Sequence, residues 1–243
     1  MITNDRTAGL SVLRQAKSLL KSTFPRGAAA YGKVKDSLRD ICLRGRDAEA
    51  IFSEIYEGNL WGDPESASGR GSTLRRTAAI RRALPALLND VGARSVLDAP
   101  CGDFNWMRHI ELGPVTYIGA DVVPSLITRN QRLYGGDGRE FVTADITRDP
   151  LPRADVILCR DCFIHFSFRD VRSAIANFKQ SNSEYLFATT YTGVREHRDI
   201  ATGPGGRYLN LQLPPFNFPE PLKIVVEDSE LGKCLGVWRL GRL

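Results

Sequence analysis

Ser95-Val96-Leu97-Asp98-Ala99-Pro100-Cys101-Gly102-Asp103-Phe104 is the stretch on which the reading of this 243-residue chain turns. A short apolar run ends in an acid, and a tight turn leads toward a helix start. In doubly wound α/β proteins a nucleotide-like cofactor sits at the carboxyl end of such a strand, over the turn that follows it. The segment predicts an α/β fold and a cofactor-binding enzyme.

Downstream, strand and helix signals alternate. Strands are expected at residues 95–98, 116–120, 141–143, 155–159 and 185–189, with helices near 106–110, 124–133 and 168–179. Such alternation implies a parallel sheet. Two later runs, 222–226 and 234–239, flank the polar turn Glu227-Asp228-Ser229 and fit an antiparallel hairpin. The expected architecture is a doubly wound, mostly parallel seven-stranded sheet closed by that hairpin. Upstream, residues 73–88 read as a helix, preceded by a Gly-rich loop that carries Trp61 and Arg70. Segments 8–20 and 31–43 read as two further helices. The division expected is a helical extension with a lid loop over residues 1–72 and a cofactor-binding domain over residues 73–243.

Three acids fall at strand ends: Asp98 on the first, Asp121 on the second and Asp145 just past the third. In a doubly wound sheet these ends line one crevice. Taken singly, each reads as a turn or cap residue; three in succession read as a site. Asp121 follows Asp98 by roughly twenty residues, the spacing of an acid that accepts ribose hydroxyls. Asp145 is placed to meet an adenine amino group. Gly102 lets backbone approach a ligand, and the amides after it suit a carboxylate. The pattern G-x-G-x-x-G is absent, because Pro100 stands at its first glycine and Phe104 near its last. Pro100 removes an amide and Phe104 is expected to block close approach of a pyrophosphate, which disfavours a nicotinamide dinucleotide.

With these residues in view, Leu97–Asp103 resembles motif I of class I S-adenosylmethionine-dependent methyltransferases. Tyr117-Ile118-Gly119-Ala120-Asp121 resembles their second motif and Thr143-Ala144-Asp145-Ile146 their third. Trp61-Gly62, the run Asp98 to Phe104 (DAPCGDF) with Trp106-Met107, and Arg160-Asp161-Cys162-x-x-His165 are together similar to a bacterial subgroup linked to polysaccharide or specialised-metabolite modification. The resemblance spans roughly residues 72–240. It implies a Rossmann-like methyltransferase fold with S-adenosylmethionine as cofactor. The backbone at Asp98 and Gly102 would then hold the methionine part, Asp121 the ribose and Asp145 the adenine, with Ala99, Pro100, Asp103, Val122 and Ile146 in the same implied cofactor-binding set. Arg160 and Trp61 complete the implied cofactor set.

Methyl transfer from a sulfonium needs a positioned acceptor and, for an alcohol, a general base. Arg160 to His165 follows the fourth strand, at the resemblance's substrate-facing position. His165 is one of three histidines and is a candidate base; Asp161 is expected to orient it or to act itself. A structural histidine among apolar neighbours is the competing reading. Cys159-x-x-Cys162 has no second pair at zinc-finger spacing, so no metal is expected. Leu213-Pro214-Pro215-Phe216 looks like the amino-methylating signature of nucleic-acid enzymes, but follows the fifth strand and lacks a polar first residue. The irregular stretch 191–221 is expected to wall the acceptor, with residues 61–72 as a lid.

The net charge is +5, and up to Lys35 there are seven basic residues against the single acid Asp5. The charge thus belongs to an N-terminal arm, not to the site, which argues against nucleic acid as the acceptor. The arm reads as a helix with a solvated basic face; an anionic membrane surface or a partner is the alternative. No apolar run reaches a membrane span and no signal peptide is seen, so a cytoplasmic enzyme is expected. The expected reaction is O-methylation of a small polar acceptor such as a sugar, glycan or specialised metabolite. RNA or protein methylation, or a silent cofactor-binding subunit, are the alternatives.

Overall fold

The computed structural model describes Leu43 and residues 46–243. The chain divides into two compact units, Met1–Asp47 and Ala48–Leu243. The basic arm and the helix expected over residues 8–20 lie outside the described residues, as does the one over 31–43 apart from Leu43. Ala48–Leu243 carries the whole sheet, and residues 48–72 belong to the same unit.

Its sheet has seven strands in the order β3-β2-β1-β4-β5-β7-β6. They are β1 (Ser95–Asp98), β2 (Thr116–Asp121), β3 (Arg139–Thr143), β4 (Val156–Cys159), β5 (Tyr185–Tyr191), β6 (Lys223–Asp228) and β7 (Lys233–Arg239). The first five run parallel, and β7 enters antiparallel between β5 and β6. The strands and hairpin read from the sequence are all present. Each residue of β4 and β5 is buried, because helices cover both faces of a parallel sheet and turn its strands into continuous apolar runs. β6 is the edge, and its exposed Ile224 and Val226 mark its solvent side.

Among the described residues four helices flank the sheet: α1 (Ala48–Glu57), α2 (Ala78–Asp90), α3 (Pro124–Tyr134) and α4 (Phe168–Gln180). α3 opens on Pro124, whose missing N–H costs nothing in a first turn. α4 is capped by Ser167, whose hydroxyl accepts from the Asp170 amide. Two expectations fail at helix starts. α2 begins at Ala78, not Thr73, because residues 73–77 form turns in which the Thr77 hydroxyl binds the Thr73 carbonyl. After β1 there is no full helix, only the single 3-10 turn Met107–His109. α1, which buries Ile51 and Ile55, was not anticipated.

Register places the site. Asp98 pairs with Gly119 and with Leu158, so β1, β2 and β4 end together. Asp121 pairs with Thr143 on β3. Asp98, Asp121, Asp145 and Arg160 therefore meet at one carboxyl edge.

Candidate active site

Asp98 is 2% exposed, and its Oδ2 accepts the Tyr117 hydroxyl at 2.8 Å. Burial pushes its pKa up to about 7, against the opposing pull of that hydroxyl and of the Arg160 charge. Asp121 accepts the Gly102 amide on Oδ2 and the Val123 amide on Oδ1, both at 3.1 Å. Burial still lifts it to about 6. Asp145 Oδ1 accepts the Thr147 amide at 2.9 Å and hydroxyl at 2.7 Å, while Oδ2 pairs with Arg148 at 3.1 Å.

The turn after β1 differs from the expected carboxylate cradle. Its amides are already used: Ala99 donates to Leu158, Cys101 to Ala120, Gly102 to Asp121 and Asp103 to the Ser68 hydroxyl. Gly102 has φ +56, and a Cβ there would run into Ser68 Oγ. The glycine thus serves the turn and its packing on Ser68 of the 61–72 loop. Phe104 takes φ +59, which sends its ring into the core against Tyr117, Tyr134 and Phe141 at 5.1–5.2 Å. It shields nothing from a pyrophosphate. Asp103 is likewise reassigned: its carboxylate accepts the Ser66 hydroxyl, the Ala67 amide at 2.8 Å and the Asn105 amide at 3.2 Å. It fastens the 61–72 loop to the turn after β1. Ala99 is wholly buried in the core.

The other half of the edge is a charge cluster. Arg160 donates to Glu227 Oε2 from Nε at 2.9 Å and Nη2 at 2.6 Å, and to the Gly71 carbonyl at 3.1 Å. Its guanidinium lies 5.2 Å from the Trp106 ring centre. Asp161 takes φ +55, and its Oδ2 pairs with Lys233 at 2.6 Å and Arg160 at 3.2 Å. Burial alone would raise the Asp161 pKa; the two cations outweigh it and hold it low. Gly71 permits this closeness, since a Cβ there would lie 2.8 Å from the same oxygen.

His165 Nδ1 lies 2.6 Å from the Gly205 carbonyl. A carbonyl only accepts, so Nδ1 carries the proton and Nε2 the lone pair. Burial lowers its pKa, which favours the neutral ring. Trp61 packs on it at 5.0 Å and donates to the Pro204 carbonyl at 3.3 Å. Asp161 makes no hydrogen bond to His165 among the described residues, so the expected orienting role falls to Gly205. An ion-paired, low-pKa Asp161 is also a poor base. From the 191–221 stretch the Gly205 carbonyl holds His165, and Tyr191 and Tyr208 line the cavity. Pro214 and Pro215 stand apart from the site, and Phe216 packs on Phe168.

A cavity of about 450 Å³ runs along this edge. Asp98, Pro100, Gly102, Asp121, Val122, Asp145 and Ile146 line it. Trp61, Arg160, Asp161 and His165 also line it, whereas Ala99 and Asp103 do not. Sequence reasoning missed Phe52 and Tyr56 of α1, Glu227 and Lys233. The α1 pair was visible in principle as an i, i+4 aromatic spacing; nothing local marked the two hairpin ions. Among the described residues no group of three or more His, Cys, Asp or Glu is placed to hold a metal, and no helix is long and apolar enough to cross a membrane.

No protein-family profile matches the chain, and no curated protein matches it by sequence. Solved structures do match. Human N-acetylserotonin methyltransferase, in complex with S-adenosylmethionine, has a TM-score of 0.60 at 13% identity, over 88% of this chain and 68% of that one. Magnesium protoporphyrin IX methyltransferase from Synechocystis, with bound S-adenosylhomocysteine, has 0.54 at 11% identity, over 78% and 95%. The 1,6-didemethyltoxoflavin-N1-methyltransferase of Burkholderia thailandensis has 0.52 at 18% identity, over 77% and 84%. The chain has the fold of class I S-adenosylmethionine-dependent methyltransferases.

Proposed function

We propose that this chain is an S-adenosylmethionine-dependent methyltransferase that O-methylates a small hydroxyl-bearing acceptor such as a sugar, a glycan or a specialised metabolite. One observation carries the reading: a single cavity is lined both by three strand-end acids and by a histidine whose Nε2 carries the lone pair. The residues fit the cofactor. Asp98, hydrogen-bonded to a neutral hydroxyl and with its pKa raised by burial despite the pull of Arg160, is stabilised further as a carboxylate by a ligand cation. Asp121 keeps acceptor capacity beyond its two amides for ribose hydroxyls. Because the turn amides are used, the methionine carboxylate falls to Arg70. That residue lines the cavity from the lid loop and makes no ion pair among the described residues.

When bound, S-adenosylmethionine supplies an activated methyl group, whose bond to sulfur breaks as the bond to the acceptor oxygen forms. The chain's own part is placement and proton removal. His165 Nε2 takes the proton that the acceptor hydroxyl loses, and Gly205 holds the ring in the tautomer able to do so. Trp61 covers that ring.

Calorimetry with S-adenosylmethionine tests the cofactor, and Asp121→Ala should weaken it at least about tenfold, roughly one charge-assisted hydrogen bond. His165→Ala should lower turnover by about a hundredfold or more with cofactor affinity unchanged. Turnover that survives this change removes the base assignment. Cofactor binding with no transfer to any acceptor selects the silent-subunit reading instead.

A further inference from the structure

Glu227 is the penultimate residue of β6, with its side chain 1% exposed. Its Oε2 takes every donor in reach: Arg160 Nε at 2.9 Å, Arg160 Nη2 at 2.6 Å and Lys233 Nζ at 3.5 Å. Oε1 is buried and takes none. A buried carboxylate oxygen without a donor is costly, and in a folded protein it calls for a partner. The same side chain lines the cavity that holds His165.

We propose that Glu227 Oε1 is a specificity determinant, receiving a hydrogen bond from a neutral hydroxyl of the acceptor that stands beside the hydroxyl to be methylated. The proposal rests on the methyltransferase reading and names its substrate class more closely, as a vicinal diol or polyol.

Charge selects the donor. Arg160 and Lys233 already balance Asp161 and Glu227. An acceptor ammonium would meet Lys233 beside the same carboxylate, and an anion would meet Oε1 itself. A hydroxyl meets neither objection, and a charged acceptor oxygen strengthens its hydrogen bond. The neighbouring wall suits a ring with hydroxyls on its rim. Tyr191 and Tyr208 stack at 4.5 Å and 24°, and Tyr208 is 50% exposed, offering a flat face to ring C–H groups. Two anchors then fix the acceptor: His165 for the reacting hydroxyl and Glu227 for its neighbour.

The test is binding to the protein saturated with S-adenosylhomocysteine, using cyclohexanol against cis-1,2-cyclohexanediol and phenol against catechol as probes, followed by ligand-observed NMR. Wild type should bind each diol at least about tenfold more tightly than its monoalcohol. Glu227→Asp keeps the charge opposite Arg160 but withdraws the oxygen, and should cut the preference to about threefold or less. Glu227→Gln removes the acceptor charge and should do the same, so it carries the test if the shorter side chain fails to fold. Equal binding of diol and monoalcohol by wild type, as expected if Oε1 holds only water, overturns the proposal. So does a preference that persists in the variants. Intact S-adenosylhomocysteine binding with no diol preference overturns the Glu227 assignment alone; absent S-adenosylhomocysteine binding overturns the methyltransferase reading with it.

Discussion

The carboxyl edge of the sheet carries two pairs of buried acids that meet different surroundings. Asp98 and Asp121, ending β1 and β2, are bonded by a tyrosine hydroxyl and two backbone amides. Asp161 and Glu227, after β4 and on β6, are bonded by Arg160 and Lys233. Burial acts on both regions. It wins in the first, where the pKa values rise to about 7 and about 6, and loses to the cations at Asp161. The first pair leaves its negative charge for a ligand to neutralise. The other neutralises its own and has only hydrogen-bonding capacity left to offer.

The contrast breaks most visibly at Arg160. Arg160→Met strips the main counter-charge from two buried carboxylates and should cost about 3–5 kcal/mol of stability in denaturant unfolding. A loss under about 1 kcal/mol would mean that the cluster does not act as a buried unit. Asp98 gives the next effect, through pH. Folded Asp98 keeps its proton up to about pH 7, whereas the unfolded side chain releases it near 3.8. Between those values the native state binds more protons, so stability falls as pH rises. Relative to Asp98→Asn, wild type should lose stability from about pH 4 to about pH 7, at up to ~1.4 kcal/mol per pH unit. Parallel pH profiles would remove the burial argument. The smallest effect belongs to Asp103. Asp103→Ala strands the Ser66 hydroxyl and the Ala67 amide and should cost about 1–3 kcal/mol. Limited proteolysis should then cut within residues 61–72, while cofactor affinity drops less than in Asp121→Ala. An Asp103 effect on the cofactor as large as that of Asp121 would restore it to the binding set.

The sheet was legible because its evidence is local. Short apolar runs that end in Asp98, Asp121 and Cys159 are buried on both sides, and such runs announce themselves. The strand-end acids were legible for the same reason, each being the last residue of its run or just past it. What stayed hidden was non-local. Asp103 looked like a ligand residue until Ser66 and Ala67, 37 and 36 positions earlier, were seen to occupy it. Glu227 sat in an apparent polar turn, and only its partner 67 residues away shows that it is buried. Phe104 was misjudged for a backbone reason: a positive φ, uncommon outside glycine, reversed the direction of its ring. The α1 helix was an oversight of pattern, since Ile51 and Ile55 stand one helical turn apart.

The β6–β7 hairpin supplies both Glu227 and Lys233, yet pairs with the rest of the sheet only through β5. Acceptor choice in this scaffold is therefore a replaceable part. A hairpin of the same register with a different residue at position 227 could be grafted onto an unaltered β1–β3 half, so long as the graft returns an anion to Arg160. An engineer seeking new acceptors would randomise this edge and leave the cofactor turn untouched.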